Sequence, residues 1–150
     1  RKDLKSKIPK DYLPMWLRER EIETRQVEPV DLLRAQKLPP YRSTWMKPTG
    51  KLPSDERIHQ ALLLYVSDMG LLGAAVNPHE VNFMSKKFQS ASLDHVMWFH
   101  GKVNFNNWVL HHMHSPISQN ARGFSRGSIY TKAGKLIAST AQEGLMRIWD

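Results

Sequence analysis

One acid stands where the sequence is otherwise apolar. Asp68 lies inside the run from Ile58 to Val76, with Leu64, Tyr65, Leu71 and Leu72 one helical turn away. A carboxylate there loses its water, which is costly unless partners supply hydrogen bonds or charge. Desolvated acids mark chemistry more often than folding. Two later segments, SLDHVMWFH from Ser92 and LIASTAQEG from Leu136, offer polar partners. Asp94, in the first of them, is a rival carboxylate in a more polar neighbourhood, suited to orienting a His or capping a strand end. His95, His100, His111, His112 and His114 invite a metal, and His112 and His114 share a strand face. No HExxH and no thiolate accompany them, so they read as pocket or surface histidines and no metal is expected.

The elements that must position Asp68 follow from periodicity. Ser54 reads as an N-cap, with Asp55 and Glu56 placing negative charge on the first turn. Ile58, Leu62, Tyr65, Met69, Leu72 and Val76 recur at helical spacing, and Leu63, Leu64 and Leu71 widen the stripe, so a helix buried on most sides is expected. Gly70 and Gly73 allow close packing or a bend, and Asn77-Pro78 ends the helix. Glu21 to Glu28 and Tyr41 to Lys47 read as short strands. Ser92 to His100 alternates, with Leu93, His95, Met97 and Phe99 on one face and Ser92, Asp94, Val96 and Trp98 on the other. Trp108 to His114 is a further strand. Arg122 to Thr131 and Lys135 to Trp149 form a hairpin across Lys132-Ala133-Gly134. Gln142 shares its face with Leu136, Ala138 and Thr140, so its amide points inward and needs partners. Trp98, Trp108 and Trp149 read as core. The class is α+β: an antiparallel sheet curled round a long helix.

The chain has 150 residues, 41% of them apolar, enough for one domain with a core. Without cysteine it can use neither a disulfide nor a thiol nucleophile. No eighteen consecutive residues are apolar, so no membrane span is expected. The net charge is +8, and half of it sits in the first ten residues, where Arg1, Lys2, Lys5, Lys7 and Lys10 face Asp3 alone. With Pro9 and Pro14, residues 1–18 read as a basic inter-domain linker or tail, leaving 19–150 as the folded domain. A basic balance suits nucleic acid or a phosphorylated ligand, but no DNA or RNA motif is present and no nucleic-acid partner is expected.

The combination LLLYVSDMGLL, SLDHVMWFH and ARGFSRGSIYTKAGKLIASTAQEGLMR resembles the acyl-CoA thioesterase II family. The resemblance is strong from Pro53 to Arg147, weaker from Glu21 to Lys47 and absent at the basic start. It implies the C-terminal hotdog domain of a double hotdog protein. It implies an acyl-CoA substrate, hydrolysed to a fatty acid and coenzyme A, with no cofactor. It further implies that Asp68, Ser92 and Gln142 position and activate a water. Such a water is deprotonated as it attacks the thioester carbonyl. Ser92 as a covalent nucleophile would lack a His or Lys base at motif spacing and a G-x-S-x-G elbow. Arg122 and Arg126, four residues apart on one strand face, are candidates for the phosphates of coenzyme A. The resemblance also implies an N-terminal hotdog in the same full-length protein, and a homo-oligomer where that half is missing. The compartment expected is the peroxisome for a eukaryotic chain and the cytoplasm for a bacterial one. The alternative is a hotdog module that grips acyl-CoA without turning it over.

Overall fold

The computed structural model describes residues 21–31, 34–83 and 85–149. The expected linker, 1–18, lies outside the described residues. Seven strands follow in chain order: β1 (Ile22–Gln26), β2 (Tyr41–Pro48), β3 (Phe88–Ser92), β4 (Val96–Phe99), β5 (Val109–Gln119), β6 (Arg122–Thr131) and β7 (Leu136–Ile148). They form one sheet in the order β1-β2-β5-β6-β7-β3, with β4 beside the same edge of β7. Every pairing is antiparallel. Helices α1 (Glu56–Ser67) and α2 (Leu71–Val76) and a 3-10 turn, Asn77–His79, pack on one face. This is the hotdog arrangement, and the α+β class holds.

Burial decides which helix face the sheet takes. Leu63 and Val66 of α1 pack with Met46, Val109, Ile129, Ile137 and Ala138. Val103 and Phe105, from the loop before β5, close that cluster. Leu71 and Ala74 of α2 meet Met113 in a second one. Burying a large apolar side chain stabilises by about 1.5–3 kcal/mol, so these contacts fix the helix against the sheet. His59 belongs to the same face. Its Nε2 donates to Pro53 O at 2.9 Å and its Nδ1 accepts from Phe105 N at 3.1 Å.

Several expectations are corrected. The helix is not continuous: Gly70 takes φ of 89°, a left-handed conformation that only glycine adopts without strain, and the helix restarts at Leu71. The N-cap is Asp55, not Ser54, its carboxylate accepting from Arg57 N at 3.0 Å. The apolar stripe is buried only in part, at Val76 and partly at Leu62. Ile58, Leu64, Tyr65 and Met69 are exposed, because the sheet takes the neighbouring face of His59, Leu63, Val66 and Ser67. Trp98 and Trp149 are half exposed rather than core, and Trp108 lies under the Arg25 guanidinium, 4.6 Å from the ring centre. Leu136 is exposed while Ile137 and Ala138 are both buried, since a bulge at this point shifts the register between β6 and β7. The membrane question also changes. The 24 residues from Glu56 to His79 are long and apolar enough to cross a bilayer by length and composition. Half of their most apolar stretch is buried inside the fold, and Gly70 breaks them, as suits a core helix.

Candidate active site

Asp68, Ser92 and Gln142 meet. Ser92 Oγ donates to Asp68 Oδ1 at 2.8 Å and accepts from Gln142 Nε2 at 2.6 Å. The helix break places the acid: α1 ends at Ser67, and Asp68 is the first residue of the turn that runs through Gly70. Asp68 and Ser92 are therefore exposed, against the expectation of a desolvated mid-helix acid. Gln142 is the buried member, 2% exposed on the inner face of β7. Asp68 Oδ2 has no partner among the described residues.

A bulge aims the strand residues. Ser92 pairs with Gly144 and Val96 with Ala141, so three residues, Leu93, Asp94 and His95, oppose only two, Gln142 and Glu143. One extra residue reverses the parity of the side chains that follow. The expected single strand from Ser92 to His100 is thus two strands joined by this step. Asp94 fastens it. Leu93 N and Asp94 N both donate to Glu143 O, at 2.9 and 3.4 Å, and Asp94 Oδ1 accepts from Glu143 N at 2.7 Å. Asp94 thus clasps the loop through its Oδ1.

Because of the bulge, His95 turns inward with Ser92 instead of away from it. Its Nδ1 lies 2.9 Å from Gln142 Oε1 and its Nε2 lies 2.8 Å from Ser67 Oγ. Alternation alone puts His95 and Ser92 on opposite faces. The sequence signal that could have found it is the surplus residue of LDH against QE. Ser67, fully buried, was likewise overlooked as one more polar residue in an apolar helix.

The other candidates do not join this cluster. Arg122 and Arg126 alternate with the buried Gly123 and Ser125 and point outward. Arg122 Nε lies 3.5 Å from Glu143 Oε1, and Arg126 lies over the Phe124 ring at 5.4 Å. His112 and His114 share the exposed face of β5, and among the described residues no three His, Cys, Asp or Glu side chains are grouped to hold a metal. His111 is neither pocket-lining nor surface. It is fully buried beside Thr140, and burial first, then the positive fields of His95 and His112, pulls its imidazole down to about 3.

Asp68, Ser92, Asp94 and His95 line an open pocket of about 490 Å³, walled by Leu64, Tyr65, Met69 and Leu93. A carboxylate oxygen that faces this space and is backed by a relay of hydroxyl and amide can hold and deprotonate a water. The apolar wall suits a hydrocarbon chain.

Known proteins place the chain in a family. The acyl-CoA thioesterase family model matches residues 16–145. Acyl-CoA thioesterase 2 of Haemophilus influenzae is 36% identical over 140 residues, which are 93% of this chain and 49% of the relative. Acyl-coenzyme A thioesterase 8 of Mus musculus is 36% identical over 132 residues, covering 85% of this chain and 39% of its own. The peroxisomal acyl-coenzyme A thioester hydrolase 1 of Saccharomyces cerevisiae is 32% identical over 92 residues, 61% of this chain and 26% of the relative. The solved acyl-CoA thioesterase II TesB2 of Mycobacterium marinum superposes with a TM-score of 0.72 at 32% identity, over 87% of this chain and 50% of that one. The chain spans about half the length of these bacterial relatives and less of the eukaryotic ones. With the family model over most of its length, and with the sheet and helices of the solved relative, the chain belongs to the acyl-CoA thioesterase family.

Proposed function

We propose that this chain carries the water-activating site of an acyl-CoA thioesterase that hydrolyses acyl-CoA to a free fatty acid and coenzyme A. The observation that carries the reading is the Ser92 hydroxyl, held between Gln142 Nε2 at 2.6 Å and Asp68 Oδ1 at 2.8 Å at the mouth of an apolar pocket. Ser92 occupies one carboxylate oxygen and leaves Oδ2 to face a water. Asp68 takes the proton as that water attacks the thioester carbonyl carbon. The C–S bond then breaks, and the proton passes from Asp68 to the leaving thiolate.

A second hotdog domain of the same full-length protein completes the pocket. Tyr65, Met69, Leu64 and Leu93 lie 41–62% exposed around the site, an apolar surface that a partner would cover and so dry the acid. Alone, this chain associates with its own copies and turns over weakly. The relatives bear bacterial and peroxisomal names, so a eukaryotic version works in the peroxisome and a bacterial one in the cytoplasm. The deciding experiment is thiol release from a series of acyl-CoA substrates, by this chain with and without the second hotdog, for the native sequence and for Asp68→Asn. Strong release that needs both halves and Asp68 supports the reading. Stoichiometric acyl-CoA binding without thiol release would make the chain a binding module.

A further inference from the structure

We infer that His95 is a positioning residue that sets the direction of the hydrogen bonds leading from Gln142 through Ser92 to Asp68. The inference rests on the water-activation reading above and deepens it.

An amide can lie in its site either way round with nearly the same shape, and its neighbours decide which. In the observed orientation Gln142 Nε2 donates to Ser92 Oγ, so the Ser92 hydrogen is free for Asp68. Turned over, Gln142 would offer Oε1 to Ser92. The serine hydrogen would then go to the amide, and the ionised Asp68 would lose its donor. Ser92 cannot choose between the two, because a hydroxyl both donates and accepts. Asp68 is exposed, so water can replace a lost partner there.

The choice comes from the far side of Gln142. Its Oε1 lies 2.9 Å from His95 Nδ1 and requires a hydrogen on that nitrogen. Ser67 Oγ lies 2.8 Å from the other ring nitrogen, Nε2. A neutral ring with its hydrogen on Nδ1 accepts the Ser67 hydroxyl at Nε2. Leu64 O, also 2.8 Å from Ser67 Oγ, accepts that same hydrogen, so Ser67 by itself fixes neither tautomer, and it is the Gln142 amide oxygen at Nδ1 that calls for the hydrogen there. Only the neutral ring with hydrogen on Nε2 breaks the relay, by presenting a bare Nδ1 to the amide oxygen. Ser67 and Gln142 are buried, so neither side chain can turn to bulk solvent when the pattern fails. The chain of direction runs from His95 through Gln142 and Ser92 to Asp68. The bulge at Leu93-Asp94-His95 exists in register with this purpose: without the extra residue, His95 would face away from Gln142.

Two variants test the polarity and not merely the shape. His95→Asn keeps an N–H near the Nδ1 position, whereas His95→Gln moves its donor toward the Nε2 position. In the complete thioesterase, His95→Gln is expected to lower kcat about 10- to 100-fold with KM nearly unchanged, the penalty of one misdirected buried hydrogen bond. His95→Asn should recover most of the loss. Equal loss in both variants, in step with their melting temperatures, would overturn the inference. A second measurement does not depend on variants folding. Nitrogen-15 histidine spectra of the native protein should show a hydrogen on His95 Nδ1, and a neutral ring carrying it on Nε2 would overturn the inference. Asp68→Asn measured alongside separates the two levels. Near-normal turnover in Asp68→Asn sinks the water-activation reading, while its loss with normal kcat in both His95 variants sinks the role of His95 alone.

Discussion

Two polar networks sit at the two ends of α2, and they end differently. At the far end, Arg42 donates through Nε and Nη2 to Asn77 Oδ1 at 2.9 and 2.7 Å. Asn77 Nδ2 donates to Pro39 O and Tyr41 O at 2.9 and 3.0 Å, and Asn77 O accepts from Leu38 N at 2.9 Å. Each amide atom of Asn77 is spent inside the fold. The guanidinium fits because residue 73 is glycine; a Cβ there would stand 2.4 Å from Nη1. At the near end, Gln142 is just as buried, but its relay runs outward through Ser92 and stops at a carboxylate with one oxygen unused. A closed network locks elements together, and one that ends on an open acceptor beside a pocket is equipped to act on something that enters.

That contrast makes opposite predictions for neighbouring kinds of substitution. Asp68→Asn removes the base and keeps the shape. In the complete enzyme turnover should fall on the order of 10²- to 10⁴-fold, with the melting temperature almost unmoved. Asn77→Ala should do the reverse. It strips the half-buried Arg42 of its acceptor and two carbonyls of their donor. Unfolding in urea should show a loss of roughly 2–4 kcal/mol, while turnover per folded molecule is kept. If Asn77→Ala lowered turnover without lowering stability, the two ends would not be separable in this way.

How much of this was legible depends on what each residue's position rests on. Helix and strand existence came from local periodicity: the strand Arg122–Thr131 is found as expected and four others with shifted ends, while Ser92 to His100 divides and Phe88–Ser92 was not expected as a strand. Gln142 was legible because a polar residue at an apolar position needs partners, Asp68 was singled out on the same ground although it proves exposed, and Ser92 came from the family resemblance alone. What failed was anything set by one residue of register. The LDH bulge turned His95 to the side of Ser92, and the bulge at Ile137 removed Leu136 from the face of Gln142. The helix was misjudged for a related reason. Both of its faces are apolar, and only the sheet decides which one is core. The other, around Tyr65 and Met69, was apolar because it borders the pocket.

Within the open network the three members should not count equally. Ser92→Ala and Gln142→Ala each remove a link of the relay behind Asp68 and leave the base. Each should cost about 10- to 100-fold in kcat, less than Asp68→Asn. The double variant should lose less than the product of the two, because both act on one relay. Steady-state thiol release decides it. A Ser92→Ala loss as large as that of Asp68→Asn, with a trapped acyl-serine in the native enzyme, would make Ser92 the nucleophile.

The smallest effect expected concerns the sheet beneath the open network, and it is read by acid rather than by substitution. His111 is fully buried between Gly127 and Thr140, one inward position from the strand segment that carries Gln142. Burial, helped by the positive fields of His95 and His112, holds its folded pKa at about 3, below the usual 6.5. The unfolded chain therefore binds a proton between these values that the folded chain refuses. Stability tied to His111 is complete above pH 6.5 and drains as pH falls through that window toward 3. The slope contributed is at most about 1.4 kcal/mol per pH unit for one proton. Comparing urea unfolding across that range for the native chain and for His111→Gln isolates the term, since the other titrating groups are common to both. The variant should show a shallower slope by up to one proton, and an unchanged slope would mean that His111 is charged in the fold.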